Sequence, residues 1–278
     1  MGRYSLIIGL LLLLSGVTSC ISDPPCDIPA KMENVELVFV WPDTLTAPPT
    51  VYVDCYPQAG GNTIRNFLPP TGGKIFLPEG GYNLLVYSNA SPKILFENLN
   101  SFSSAAAYTD GGIQPDELFC GSILGADIKG SGINQQFTIP MVNRVYSYHF
   151  RYSGVEGLKY VNGIRVGLDG ITRAVEMASG NLLPETITAS CTYRLLSDGF
   201  YGTLRCFGHG LADTKHTFTV NFAYGGQSKI LNYDVTQMLN QYGYIDIRDS
   251  LVFEPIGGGG IDTGVGDWED DAVDIPIN

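Results

Sequence analysis

Apolar residues recur at every second position along most of this chain. Val35, Leu37, Phe39 and Trp41 alternate with Glu36, Val38 and Val40, and Val51, Val53 and Cys55 alternate with Tyr52, Asp54 and Tyr56. Phe218, Val220, Phe222 and Tyr224 do the same against Thr217, Thr219, Asn221 and Ala223. A period of two places one set of side chains on each face of a strand. Further strand-like runs cover Tyr82–Tyr87, Gln136–Ile139, Val145–Tyr152, Tyr160–Leu168, Thr186–Leu196, Tyr201–Phe207, Lys229–Asp234 and Ile245–Phe253. Punctuators such as Pro69-Pro70, Glu79-Gly80-Gly81 and Gly225-Gly226 separate them. One short helix is predicted, Val235–Tyr242, with Asp234 as its N-cap. Many short strands broken by turns predict β-sandwich architecture. Ser101–Gly132 is polar, Gly-rich and weakly periodic, and a fresh run of strands begins at Val145. Two modules are therefore expected, 31–142 and 143–256, with a single larger sandwich as the alternative.

The N-terminus carries a different pattern. Arg3 precedes an unbroken apolar run, Leu6–Leu14, which matches the core of a signal peptide and falls short of the ~20 residues that span a bilayer. Val17-Thr18-Ser19-Cys20 resembles a lipobox, a signal whose cysteine is acylated and whose cleavage falls just before that cysteine. The expected organisation is a signal peptide at 1–19 and a lipid-anchored linker at 20–30, with Ser22, Asp23, Pro24 and Pro25 as an extended spacer. The anchored partner would be a membrane, and the expected location is the outer membrane at the cell surface.

Charge adds a third feature. Removing Arg3 with the leader changes the net charge from −12 to −13, of which the stretch from Glu254 onward carries −7 and the body −6. The terminal stretch holds seven acids and no base, and 257–278 reads as a Gly-rich acidic tail. Trp268, Val273, Ile275 and Ile277 are embedded in it, and a purely solvating tail has no use for them. They mark it for docking, either onto the protein's own surface or into a partner. A chain this acidic, with no basic strip interleaved with aromatics, excludes nucleic acid as a partner.

Export permits disulfides. Five cysteines remain once Cys20 is acylated: Cys26, Cys55, Cys120, Cys191 and Cys206. One pair can be argued for. A two-residue hairpin turn at Asp198-Gly199 would set Cys191 opposite Cys206, within bonding reach. Two small buried apolar residues in neighbouring strands are the alternative reading.

Chemistry-bearing motifs are scarce. His149 sits in a strand pattern, and His209 and His216 bracket a turn without metal-ligand spacing. No Gly-x-Ser-x-Gly elbow, phosphate-binding glycine loop or Cys-x-x-Cys pair occurs. The tail lacks the spacing of a calcium loop. No enzyme, cofactor or metal is expected. Tyr52, Tyr56, Tyr82 and Tyr87 could stack on sugars or pack across strands.

Several segments in order resemble a known family. Leu77–Ser91 (LPEGGYNLLVYSNAS) is similar to the glycine–tyrosine strand entry of anchor-type subunits of type V fimbriae from Bacteroides-like anaerobes, the fimbrillin-like group that includes minor-fimbrium anchors. Thr138–Gly180 resembles the crossing into the second domain of such subunits. Phe253–Asn278 is similar to the ending of related Bacteroides lipoproteins. The resemblance implies an all-β fold with two tandem transthyretin-like β-sandwich domains after a lipoprotein signal peptide. It further implies a fimbrial anchor or accessory adhesin subunit with fimbrial subunits as partners, assembling by strand augmentation. The tail, with Trp268, Val273, Ile275 and Ile277, is then the exchanged or docked segment. The competing expectation is a surface lipoprotein that binds glycan or peptide.

Overall fold

The computed structural model describes residues 31–43, 47–88, 91–130, 132, 134–210 and 213–255. Strands dominate. The first ten are β1 (Met32–Val40), β2 (Val51–Pro57), β3 (Ile64–Leu68), β4 (Gly72–Pro78), β5 (Gly80–Ser88), β6 (Leu95–Glu97), β7 (Ala106–Tyr108), β8 (Phe119–Ile128), β9 (Gln135–Pro140) and β10 (Val142–Asn143). The next five are β11 (Tyr146–Glu156), β12 (Gly163–Thr172), β13 (Ala174–Glu176), β14 (Thr186–Ser190) and β15 (Thr192–Leu195). After them come β16 (Gly199–Cys206), β17 (Thr217–Tyr224), β18 (Gln227–Asp234), the helix α1 (Thr236–Tyr242) and β19 (Tyr244–Val252).

Two sheets, ordered β4-β1-β9 and β10-β8-β5-β2-β3, enclose one apolar core. The alternation of β1 places Val35, Leu37 and Phe39 inside, facing Val53, Leu84 and Val86 of the opposite sheet. Trp41 closes one end, donating its indole N–H to the Pro70 carbonyl at 2.6 Å and meeting Phe119 edge-on. Gly72 sits at φ +97 where β4 begins, and a Cβ there would run into the Leu37 carbonyl. Two further sheets, β15-β16-β11-β19 and β14-β12-β17-β18, enclose a second core of Phe150, Tyr152, Phe200, Phe218 and Phe222. In each sheet pair a late strand lies parallel to the first: β9 beside β1, and β19 beside β11.

A fifth sheet, β13-β7-β6, joins the two halves of the chain. Ala107 pairs with Phe96 on one side and with Val175 on the other. Around it lies a third cluster that mixes Tyr56, Leu85 and Tyr87 with Val145, Val175 and Phe207. The weakly periodic stretch Ser101–Gly132 therefore contains β7 and the ten-residue β8. Its buried Phe119, Cys120 and Gly121 follow one another because β8 is covered on both faces there, which erases the alternation.

The run Thr186–Leu196 is two strands. Ser190 ends β14 in one sheet and Thr192 begins β15 in the other, with Cys191 at the crossing donating its backbone N–H to the Val166 carbonyl. The hairpin closes on Leu196 and Gly199, so Thr192 faces Thr203 and Leu195 faces Phe200. In this register Cys191 no longer faces Cys206, which pairs with Tyr146. Both cysteines are free and buried in the second core. Burial, joined at Cys191 by the neighbouring Cys206, pushes both thiols up to about 12.

Candidate functional site

The sites expected at Cys20 and at Trp268, Val273, Ile275 and Ile277 lie outside the described residues. The structure does describe the strand from which the tail departs. β19 is an edge strand among the described residues, where no strand pairs with the outward row of its backbone N–H and C=O groups. Ile245, Ile247 and Leu251 fix its inner face in the core, and Asp246 and Arg248 stand on its outer face. Phe253 donates its N–H to the Glu156 carbonyl, and the Tyr224 hydroxyl donates to the Glu254 carbonyl. The chain is thus fastened as far as Glu254.

A polar knot holds this strand from beneath. Asp249 accepts hydrogen bonds from the Tyr152 hydroxyl at 2.6 Å and from the Tyr233 hydroxyl. Burial opposes a charge on Asp249, yet the two hydroxyls and the Ser250 N–H outweigh it and hold the carboxyl below its usual range. Beside it, β11 and β19 slip register between Ser153 and Val155. Gly154 makes that bulge possible: it sits at φ +84 with the Asp249 carbonyl where a Cβ would go. The equivalent edge strand of the first sheet pair, β9, ends in Pro140 and is continued by the short β10 in the other sheet.

The tyrosines that could have met sugars are packing residues. Tyr56, Tyr82 and Tyr87 are buried, and Tyr52 stacks on Tyr87 at 5.1 Å and leans on Phe67. Beneath them Asp54, fully buried, takes both oxygens to Arg65 at 2.6 and 2.7 Å and accepts from the Tyr87 hydroxyl. Next to this stack, however, a cleft of about 500 Å³ opens. Gln58, Asn83, Asn100, Thr63 and Phe102 line it. Asn83 accepts from the Gln58 amide and from the Gly125 N–H, which fixes its orientation. Gln58 and Asn100 belong to different loops, so no local motif announced the cleft.

Two of the three histidines, His209 and His216, meet in a small cluster, while His149 contacts Thr203. His209 Nδ1 meets the Tyr148 hydroxyl at 2.6 Å, and its ring lies edge-on to His216. His216 is 1% exposed and its Nε2 has no partner among the described residues. No group of three or more metal-ligating side chains occurs among the described residues. Burial lowers the His216 pKa below its ordinary 6.5, and His209 adds to that. Unfolded, the ring takes up a proton near 6.5; folded, it resists one. Its contribution to stability is therefore complete above pH 6.5 and is lost as pH falls through the folded value. The melting temperature should drop on acidification from neutral pH, and the drop should shrink in His216→Gln. Parallel profiles for the two proteins would contradict this account.

The family model described as a domain of unknown function, DUF5119, matches residues 19–190. This chain belongs to that family. The match runs through the first sheet pair and the junction and stops at the end of β14. No curated protein matches the chain. Among solved structures, a candidate adhesin from Bacteroides ovatus shares the fold with a TM-score of 0.71 at 18% identity, over 82% of this chain and 95% of that one. The fimbrial anchor protein Mfa2 from Porphyromonas gingivalis is similar with a TM-score of 0.55 at 10% identity, over 78% and 90%. A candidate polysaccharide-binding protein from Bacteroides thetaiotaomicron gives 0.56 at 11%, over 75% and 82%. At these identities the likeness is one of fold.

Proposed function

We propose that this protein is a lipid-anchored, non-enzymatic cell-surface subunit of a fimbrial or adhesin assembly, tethered to the outer membrane through Cys20. Its mature form would begin at Cys20, carry two β-sandwich domains that meet near residues 142–143, and end in the acidic tail. One observation carries the reading: a firmly seated, exposed edge strand, β19, leads straight into a tail studded with Trp268, Val273, Ile275 and Ile277. Such a segment can complete another subunit's sheet, backbone hydrogen bonds supplying affinity and alternate side chains supplying register. The fold shared with Mfa2, a fimbrial anchor, supports it. The test is affinity capture from detergent-solubilised membranes with the full chain and with a chain lacking Trp268–Asn278. Fimbrial subunits should be captured by the first and lost with the second. Equal capture by both would overturn the role of the tail.

A second reading is favoured by the cleft. Amide side chains at Gln58, Asn83 and Asn100 beside the Phe102 ring suit the hydroxyls and apolar faces of a neutral saccharide. The fold shared with a candidate polysaccharide-binding protein is in keeping with it. Retention on a glycan array should disappear in Asn100→Ala with Phe102→Ala, and a blank array for the unaltered chain sinks the idea.

A further inference from the structure

The outer face of the sheet β15-β16-β11-β19 is unlike the rest of this acidic molecule. Register places Arg194, Tyr201, Arg151 and Asp246 side by side in one row across its four strands. The next row is Thr192, Thr203, His149 and Tyr244, and the Thr203 hydroxyl to His149 contact at 3.2 Å confirms that these side chains share a face. Adjacent strands lie ~4.8 Å apart, so two arginines flank Tyr201 at about 10 Å from one another. Arg151 and Arg194 are exposed, and neither has an ion-pair partner among the described residues. Arg248 lies further along β19 with its side chain 83% exposed, 3.9 Å from Asp246. A chain of net charge −12 thus concentrates three arginines around an exposed tyrosine on one sheet, two of them without an ion-pair partner among the described residues.

We infer that this face is the docking surface for the chain's own acidic C-terminal segment, residues 261–278, in the isolated molecule. Three observations converge on that occupant. The segment departs from β19, the edge strand of the same sheet. It carries Asp262, Asp267, Glu269, Asp270, Asp271 and Asp274 with no base, the charge complement of the face. Its length suffices: the Arg151 row lies level with Asp246, six residues back from Val252 or ~20 Å along the strand, while eighteen extended residues reach up to ~60 Å. Gly257–Gly260 permits the reversal. In the docked state carboxylates pair with Arg151 and Arg194, and the Trp268 ring lies against Tyr201 and a guanidinium plane. Tethering makes the encounter intramolecular, at an effective concentration in the millimolar range. The face needs no fimbrial partner, so the inference is independent of the function proposed above.

The test follows acrylamide quenching of Trp268 in the full chain, with no other protein present. Trp268→Phe isolates its signal from that of Trp41. At low salt Trp268 should be shielded, and raising salt to ~1 M, where the screening length falls to ~3 Å, should increase its quenching constant about threefold. Arg151→Glu with Arg194→Glu should reach the high-salt value without added salt. Adding Asp270→Lys and Asp271→Lys to that variant should restore shielding. Quenching indifferent to salt overturns the proposal, as does failure of the charge exchange. Shielding that fades on hundredfold dilution also overturns it, assigning the segment to a second molecule.

Discussion

Ala107→Glu is expected to split thermal unfolding into two separate transitions. Ala107 is completely buried at the centre of the three-stranded junction sheet, between Phe96 and Val175. A carboxylate there would sit among Tyr56, Leu85, Val145 and Phe207, and its desolvation costs several kcal/mol. The strand pair with β13 would be expelled before such a charge was accommodated. What remains is instructive, because the other two cores share no residue: one draws on Val35 to Met141, the other on Tyr148 to Phe253. Each can stay folded while the contact between them is lost. Scanning calorimetry should show one cooperative transition for the unaltered chain and two for the variant. Leu95→Glu, in the same hairpin but on its exposed side, should leave a single transition. One transition that merely moves to lower temperature in Ala107→Glu would mean that the halves unfold together for some other reason.

The same junction marks the limit of what the sequence made legible. Strands with one face in a core and one toward solvent, such as β1 and β17, announce themselves by alternation, and the structure places them where the pattern does. The short helix and β18, β19 likewise follow from local signals. β7 and β8 do not, since their neighbours lie on both faces and come from both halves of the chain. The Cys191 to Cys206 register failed for a related reason. Counting outward from Asp198-Gly199 assumes an uninterrupted hairpin, whereas the turn closes one residue earlier and the chain leaves the sheet at Cys191. Periodicity reports on one sheet at a time; a crossing between sheets leaves no trace in it. The arginine face was hidden in plain alternation, because Arg151, Tyr201 and Arg194 acquire meaning only once three strands are aligned.

Phe200→Ala should remove about 3–5 kcal/mol of stability from the second core and loosen β19 with it. Phe200 is fully buried, stacked on Tyr152 with ring centres 5.0 Å apart and planes 7° from parallel. Tyr193 and Phe222 close around it at 5.4 and 6.4 Å. Truncation leaves a cavity that rigid sheets on both sides cannot collapse into, which places the loss toward the upper end of that range. The consequence travels through Tyr152, whose hydroxyl binds both Tyr233 and Asp249. A ring no longer clamped by Phe200 cannot hold that hydroxyl in place, and Asp249 is the residue that ties β19 down. Denaturant titration reads the stability loss, and Tyr201→Ala on the exposed face of the same strand serves as the reference, with an expected loss below ~1 kcal/mol. Hydrogen exchange reads the second effect: amides of Ile247–Leu251 should lose protection in Phe200→Ala more than those of β17, although Phe218 and Phe222 of β17 belong to the same core. Uniform loss across both strands would place the edge strand's anchorage in the core as a whole and not in the tyrosine–aspartate knot.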